Sequence, residues 1–160
     1  MRKTDNIKLL DEMIAEFHNS QPLYSSMKAY YEGEHDIKSH YRKFANRANN
    51  IIIDNFINKF INEEVQYSLG NPLSYVSLSG NKDVTDAIFN NLFHWNDSHN
   101  QELMRTLEIY GKAFIVNYID SKGRFSERIL NPLQGICYCD SEGVPERFIH
   151  FYKKKYEDNQ

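Results

Sequence analysis

The stretch AFIVNYIDSKGRFSERIL, residues 113–130, decides the fold class, because the sequence changes there from a helical to a β pattern. Residues 113–119 are mostly β-branched and aromatic, which favours a strand. Asp120-Ser121-Lys122-Gly123 supplies the residue types of a tight turn, and the β pattern resumes over residues 124–130. Two strands joined by so short a turn are antiparallel. The sequence therefore predicts a β-hairpin.

A second pair of strands follows, and it is also joined by a short turn that begins with Asp and ends with Gly. After Asn131-Pro132, residues 135–139 and 146–152 flank the turn Asp140-Ser141-Glu142-Gly143. Because all the joints are short, we predict an antiparallel meander of about four strands. Residues 112–156 are accordingly predicted to be mainly β.

The N-terminal segment has helical periodicity. Apolar side chains at helical spacing predict a first helix; they are Ile7, Leu10, Ile14 and Phe17. The segment His18-Asn19-Ser20 interrupts the pattern, and Pro22 suits the first turn of a second helix, which we expect to end at Gly33. The polar and basic residues 34–49 are interpreted as a loop, or as a loop with a loose helical turn.

The strongest helical pattern lies in the middle of the chain. A continuous apolar stripe consists of Ile53, Phe56, Ile57, Phe60, Ile61, Val65 and Leu69. The other side of this helix is expected to carry Asp54, Asn58, Asn62 and Gln66. We predict that Gly70 takes a left-handed cap and that Pro72 prevents continuation.

Shorter elements connect this helix to the β region. Residues 75–78 alternate like a short strand, Asn81 is a candidate cap for a following helix, and a last helix is predicted from Asp97 to Gly111. Residues 1–111 are thus mainly helical. The order of elements predicts an α+β fold, with N-terminal helices packed on a C-terminal antiparallel meander, in a single domain over residues 1–160.

The composition is that of a globular protein, with 41% hydrophobic and 26% charged residues. The formal net charge is -3 and the pI is about 6.1, so we expect no strong DNA binding by the chain as a whole. No apolar run approaches the roughly 20 residues of a membrane span, and no signal-peptide core follows Met1. Cys137 and Cys139 are too close together to staple a fold, which favours a reducing, cytosolic setting.

The histidines are not spaced like the ligands of a metal site. His35 and His40 lie five residues apart, as do His94 and His99, whereas helical ligand pairs prefer three or four. The sequence also contains no Gly-rich phosphate loop and no Gly-x-Ser-x-Gly elbow. We interpret these histidines as surface or capping residues.

The cysteines and the paired glutamates offer no better candidate. Cys137 and Cys139 point to the same face of one strand, but no Cys or His pair at metal-binding spacing completes a zinc site, so buried, inert thiols are expected. Glu63 and Glu64 are adjacent and do not face each other on a helix, which indicates a solvated edge. We therefore predict no catalytic, cofactor-binding or metal-binding residue, no cofactor and no enzymatic activity.

Two features suit either contacts with other molecules or the chain's own fold. The segment from Lys38 to Arg47 interleaves basic residues with Tyr41 and Phe44, as nucleic-acid contacts do, so a small DNA-binding module is one alternative, beside a solvated or subunit-facing loop. The lysines at 153–155 suit an edge strand. A total of 11 Tyr and 10 Phe suits half-buried surfaces and subunit contacts, and it also suits a small fold in which helices pack on thin sheets.

Five short segments occur in an order that is found in one protein family. They are Met27–Gly33 with Tyr-Tyr-x-Gly, the Asn-rich helix entry Asn49–Phe56, Tyr67–Tyr75 with Gly-x-Pro, Tyr110–Phe114, and Asn131-Pro132 followed by Tyr138-x-Asp140. From about Asp5 to Tyr152 the chain resembles the N-terminal part of portal proteins of tailed bacteriophages, of the type found in siphoviruses of Gram-positive bacteria.

This resemblance implies a structural role. Portal proteins form a dodecameric ring at one capsid vertex, through which DNA is packaged and later ejected, and the ring contacts the capsid and the terminase, whose ATPase is a separate protein. The segment corresponds to the outer wing, where subunits pack on neighbours. The implied location is the virion, with assembly in the host cytoplasm, and no cofactor or membrane is involved.

Family members continue into stem, clip and crown segments that this sequence lacks, so no DNA-conduit or motor-contact residue is transferred to it. We expect a wing fragment, with apolar or aromatic surface left uncovered. The alternative is a stand-alone portal-like protein that interferes with assembly or is recognised by an anti-phage defence protein.

Overall fold

The computed structural model describes residues 3–37, 52–72, 74, 76–91 and 96–153. The described elements are helices α1 (Lys3–Tyr31), α2 (Phe56–Leu69), α3 (Lys82–Asn91) and α4 (Asp97–Tyr110), and strands β1 (Phe114–Ile119), β2 (Phe125–Leu130), β3 (Gly135–Cys139) and β4 (Pro145–His150). Helices precede antiparallel strands, which confirms the predicted α+β class.

Helix α1 runs without interruption through Pro22, so the prediction of two helices divided at His18-Asn19-Ser20 is wrong. A proline inside a helix removes a backbone hydrogen bond and costs about 3 kcal/mol. Phe17 and Tyr24, on either side of the proline, are both buried. Their packing keeps the two halves in one helix, because tertiary contacts override local propensity.

Gly33 ends α1 as the sequence predicts. Its φ of 83° is left-handed, and its N–H donates to the carbonyl of Tyr30 at 3.2 Å. The N–H of Glu34 donates to the carbonyl of Ala29 at 2.8 Å, which completes a Schellman motif. The chain therefore turns sharply out of α1.

Gly70 ends α2 by a different mechanism from the predicted one. Its φ of -73° and ψ of -19° are right-handed, so the predicted left-handed cap is wrong. A Cβ at this position would lie 2.3 Å from the carbonyl oxygen of Gln66. Glycine is required here for close backbone approach rather than for a positive φ.

The structure of the segment between α2 and α4 agrees only in part with the prediction from the sequence. Residues 76–78 do not form a strand, and Tyr75 lies outside the described residues. Asn81 Oδ1 accepts from the N–H of Asp83 at the start of α3, at 3.0 Å, as its predicted capping role requires. Gly111, with φ 71°, donates to the carbonyl of Leu107 and ends α4.

The β region consists of two separate hairpins rather than one meander. Strand β1 pairs with β2 from Phe114↔Leu130 to Ile119↔Phe125, and β3 pairs with β4 in a second sheet. The predicted pairing of β2 with β3 is wrong. The joint between them is a turn in which Gln134 N–H donates to the Asn131 carbonyl, and Pro132 is fully buried at its centre. This turn directs β3 out of the first sheet.

The core lies where the second hairpin packs on α1. Met13, Phe17 and Ile136 are buried together, with Ile149 and Phe151 against them. The rings of Phe17 and Phe151 stack with centroids 3.9 Å apart. Burying side chains of this kind contributes roughly 1.5–3 kcal/mol each.

The C-terminal half of α1 packs on the other helices. The rings of Tyr24 and Tyr110 meet edge to face at 6.2 Å, and Lys112 Nζ lies 5.0 Å from the Tyr24 ring centre. Burial raises the pKa of the Tyr110 phenol, with a smaller contribution from the charge of Glu32. Helix α1 thus joins the hairpin side of the molecule to the helical side.

Candidate subunit interface

Two asparagines of the predicted polar side of α2 face the rest of the protein. Asn58, Asn62, Val65 and Leu69 are buried or half-buried, and Val65 is 1% exposed. At 3.6 residues per turn these four positions fall on one side of the helix. The interpretation of Asn58 and Asn62 as lying on a separate polar side, away from Val65 and Leu69, is therefore wrong.

Hydrogen bonds explain why asparagines lie inside. Asn55 caps α2 by accepting from the N–H of Asn58 at 3.1 Å, and it donates through Nδ2 to the Tyr31 carbonyl at 2.8 Å. Asn58 Nδ2 donates to the same carbonyl at 3.2 Å, and Asn62 Nδ2 donates to Asn58 Oδ1 at 2.8 Å. Asn62 Oδ1 accepts from Arg105 Nε at 3.4 Å. We call Asn55, Asn58 and Asn62 the asparagine ladder; it ties the end of α1 to α2 and α4.

Because the ladder faces inward, aromatic residues face outward. Phe56, Phe60 and Tyr67 fall within an arc of about 40° on the side of α2 opposite Val65. They are 55%, 62% and 90% exposed, and the rings of Phe56 and Phe60 stack at 6.1 Å. These three residues are here called the aromatic face.

An apolar groove runs beside the aromatic face. Its volume is about 280 Å³, and its apolar walls come from α1, α2 and α4, with Leu23, Met27, Ile57, Ile61 and Ile109 among the lining residues. Leu23 and Ile57 are exposed. The aromatic face and the groove together give the helical side a broad apolar surface, of the kind that protein contacts cover.

Charged and polar groups border this surface. Lys59 Nζ lies 3.8 Å from Glu63 Oε1, one turn along α2, and both side chains are exposed. At the end of the groove Tyr30 donates to Asp36 Oδ2 at 2.8 Å, and this hydrogen bond raises the pKa of the Tyr30 phenol. A charged and polar border around an apolar centre is the usual plan of a protein–protein interface.

Other apolar side chains are exposed outside α2. Helix α3 exposes Val84 and Ile88 along one side, and the first hairpin exposes Ile119 and Phe125, which are cross-strand partners. Each described sheet has two strands, so every described strand has one edge without a neighbouring strand in its sheet. Two-stranded sheets are marginal alone, and such edges can accept a strand from another chain.

The described candidate histidines and glutamates do not form a catalytic or metal-binding group. Over residues 3–37, 52–72, 76–91 and 96–153 no three His, Cys, Asp or Glu side chains are grouped as metal ligands. His99 contacts Glu127, and Glu63 pairs with Lys59. His40 and His94 lie outside the described residues.

The basic segment from Lys38 to Arg47 and the lysines at 154 and 155 also lie outside the described residues, so the DNA-binding alternative stays a prediction. Within the part of the chain that the structure describes, no helix has the length and apolar character needed to cross a membrane.

The sequence predicts the cysteine geometry correctly and the cysteine burial wrongly. Cys137 and Cys139 share a face of β3, as expected, and their Sγ atoms are 3.9 Å apart. Cys137 is half-buried and Cys139 is exposed, so the pair is not buried and inert. Cys139 is the last residue of β3, and the strand register shifts between it and Tyr138.

A helix that packs through asparagines and exposes a row of aromatic rings is suited to contact with another protein, as the subunits of an assembly require. Residues 10–160 match the family described as phage portal protein, SPP1 Gp6-like, and the chain belongs to that family. No curated protein matches the chain. Family membership gives the chain a structural role in the oligomeric portal of the virion, at the capsid vertex.

Proposed function

We propose that this chain supplies a wing-like outer domain of the portal ring, through which DNA enters the capsid during packaging and leaves it during ejection. The twelve-subunit ring and the contacts with capsid and terminase belong to this proposal. In it, residues 1–160 act as one domain whose exposed apolar surfaces meet neighbouring subunits.

The observation that carries the proposal is the aromatic face of α2. Phe56, Phe60 and Tyr67 are all more than half exposed, although aromatic side chains of this size contribute most when they are buried. Val65, on the other side of the same helix, is buried in the chain's own core. Helix α2 thus has one side for its own fold and one side free for a neighbour.

A second copy of this chain is the occupant that family membership supports. Neighbours in a ring meet through two different surfaces, because a head-to-tail contact joins one patch to another around the ring. The aromatic face would be one of these patches. The apolar side of α3, with Val84 and Ile88, and the first hairpin, with Ile119 and Phe125, are candidates for the other.

The test is the oligomeric state of the protein as encoded, measured by native mass spectrometry and electron microscopy. We expect rings from the wild type and smaller species from Phe56→Asp and Phe60→Asp. Both positions are already exposed, so the circular dichroism spectrum and the unfolding midpoint should change little.

Val144→Asp is the matched control, because Val144 is 53% exposed but lies at the second hairpin turn rather than on α2. This variant should assemble like the wild type. Rings that form equally well in all three variants would exclude the aromatic face as a subunit contact. In infected cells, the α2 variants should reduce the number of DNA-filled capsids; normal filling despite failed ring assembly would contradict the packaging role.

A further inference from the structure

Cys137 and Cys139 form a close pair of thiols whose chemistry the portal role does not use. Their Sγ atoms lie 3.9 Å apart on one face of β3, and Cys139 is exposed. We propose that this pair is a modification site that forms a reversible intramolecular disulfide by exchange with low-molecular-weight disulfides. The proposal goes beyond the portal role and does not depend on it.

The bond requires a local change of the backbone. The Cα atoms of alternate residues in a strand lie about 6.6 Å apart, at the upper limit of roughly 6.8 Å found in disulfides, and their Cβ atoms must approach to about 3.8 Å. The sulfur atoms must then approach from 3.9 Å to about 2.05 Å. Opposite the step from Tyr138 to Cys139, β4 contains one extra residue, Glu146, and this irregular pairing leaves the end of β3 less tightly held.

The strand opposite offers little resistance at this position. Cys139 lies across from Pro145, which has no N–H to donate to the ladder. Cys137 lies across from Phe148 in the regular part of the register, and its surroundings are more buried. The adjustment can therefore take place at Cys139 while Cys137 keeps its place in the sheet.

The two thiols have different roles in the exchange. Burial and the neighbouring Cys139 thiol raise the pKa of Cys137. Cys139 is the more exposed of the two thiols, so it is the first nucleophile. The Cys139 thiolate attacks one sulfur of the small disulfide, forms a mixed disulfide and releases one small thiolate. Cys137, after losing its proton to solvent, attacks Cys139 Sγ and releases the second small thiolate.

The exchange is balanced. Two protein thiols and one small disulfide give one protein disulfide and two small thiols, and excess small thiol reverses both steps.

A metal ion fits this pair of thiols less well than a disulfide does. A tetrahedral zinc site needs four ligands, and the described residues provide no group of three or more.

The experiment incubates the full chain with oxidised and reduced glutathione, traps free thiols with N-ethylmaleimide and measures intact mass. The wild type should lose two hydrogens, resist the maleimide at both cysteines and return to its original mass with dithiothreitol. Cys137→Ser should instead accumulate one glutathione on Cys139. Cys139→Ser should acquire glutathione on Cys137 more slowly than Cys137→Ser acquires it on Cys139, because burial limits access to the Cys137 thiol.

Three outcomes would overturn the proposal. One is wild-type protein that ends with bound glutathione and no internal disulfide. Another is a dimer linked between chains. The third is equal reaction rates for the two single variants. A circular dichroism spectrum of each serine variant shows whether it is folded, and a differential cysteine-labelling and peptide-mapping experiment on the wild type alone provides a readout that needs no variant.

Discussion

His99 Nε2, near the start of α4, contacts Glu127 Oε1 in the middle of β2. The His99 side chain is 14% exposed and the Glu127 side chain 4%. Neither atom has another hydrogen-bond partner within the described part of the chain, so each depends on the other. Since α4 belongs to the helical part and β2 to the first hairpin, this contact connects the two halves of the α+β fold.

Removing either partner should therefore destabilise the fold. We expect His99→Ala and Glu127→Ala each to lower the free energy of unfolding by roughly 1–3 kcal/mol, because a buried polar group loses its partner. The double variant should lose less than the sum, with a coupling of at least about 0.5 kcal/mol. Urea unfolding followed by circular dichroism measures all four proteins.

Glu102→Ala provides the control, since Glu102 is exposed on the same helix. It should change the stability by no more than about 0.5 kcal/mol. Strictly additive effects of the two alanine substitutions would show that His99 and Glu127 do not stabilise one another.

Gly33 and Gly143 allow a matched comparison of two left-handed glycines. Their φ values are 83° and 82°, so alanine should cost about 1–2 kcal/mol at either position through backbone strain alone. A Cβ at Gly33 would also lie 3.2 Å from Asn55 Nδ2, whereas a Cβ at Gly143 meets nothing within 4 Å. Displacing Asn55 weakens its 2.8 Å hydrogen bond to the Tyr31 carbonyl.

We therefore expect Gly33→Ala to be more destabilising than Gly143→Ala by roughly 0.5–1.5 kcal/mol, the net value of one hydrogen bond. Thermal and urea unfolding of the two variants measure the difference. Equal losses would mean that the contact with Asn55 contributes nothing beyond backbone strain.

The asparagine ladder makes Asn62 a structural residue although it is polar. Asn62 donates to Asn58 Oδ1 at 2.8 Å and accepts from Arg105 Nε at 3.4 Å. Asn62→Ala should lower the free energy of unfolding by roughly 1–3 kcal/mol, because two half-buried partners lose a hydrogen bond. Gln66→Ala is the control on the exposed surface of the same helix and should have almost no effect. If the two substitutions cost the same, the ladder does not hold α2 in place.

The sequence predicts correctly those parts of the fold, such as the hairpin turns, that are stabilised by contacts between neighbouring residues. The turns beginning at Asp120 and Asp140 occur as predicted, because in each the carboxylate accepts backbone N–H groups two and four residues ahead. Tertiary contacts decided the parts that the sequence predicted wrongly. Buried Phe17 and Tyr24 carry α1 through Pro22, and no local signal reports that burial.

The sequence did not reveal the candidate interface, because tertiary contacts determine which side of α2 is buried. Counting apolar residues placed Phe60 in one stripe with Val65, although the helical angle between them shows that they face different sides. The angles alone do not tell which side packs on the chain's own core. That choice depends on Asn62, whose hydrogen bond with Arg105 joins residues that are 43 positions apart. The cysteine pair, by contrast, was accessible from spacing, because alternation along a strand fixes which residues share a face.

The first hairpin turn makes a pH-dependent contribution whose sign follows from its geometry. Asp120 Oδ1 accepts from the backbone N–H of Arg124 at 2.9 Å and of Lys122 at 2.8 Å, and Oδ2 accepts from the Arg124 guanidinium. The backbone hydrogen bond from Arg124 is the main cause that lowers the pKa of Asp120 below its ordinary value of 3.8, with the guanidinium and Lys122 N–H adding to it. Because the folded pKa is depressed, the stabilisation is present above 3.8 and is lost as the pH falls through the folded pKa.

Arg124→Gln separates the two contributions, since it removes the guanidinium and keeps the backbone N–H. We expect the pKa of Asp120, followed by carbon-detected NMR of its carboxyl group, to rise in this variant but to stay below 3.8, because the backbone hydrogen bonds remain. Asp120→Asn should remove the corresponding step from the dependence of stability on pH. A wild-type Asp120 that titrates at its ordinary value would disprove this account. A return to that value in Arg124→Gln would instead assign the whole shift to the guanidinium.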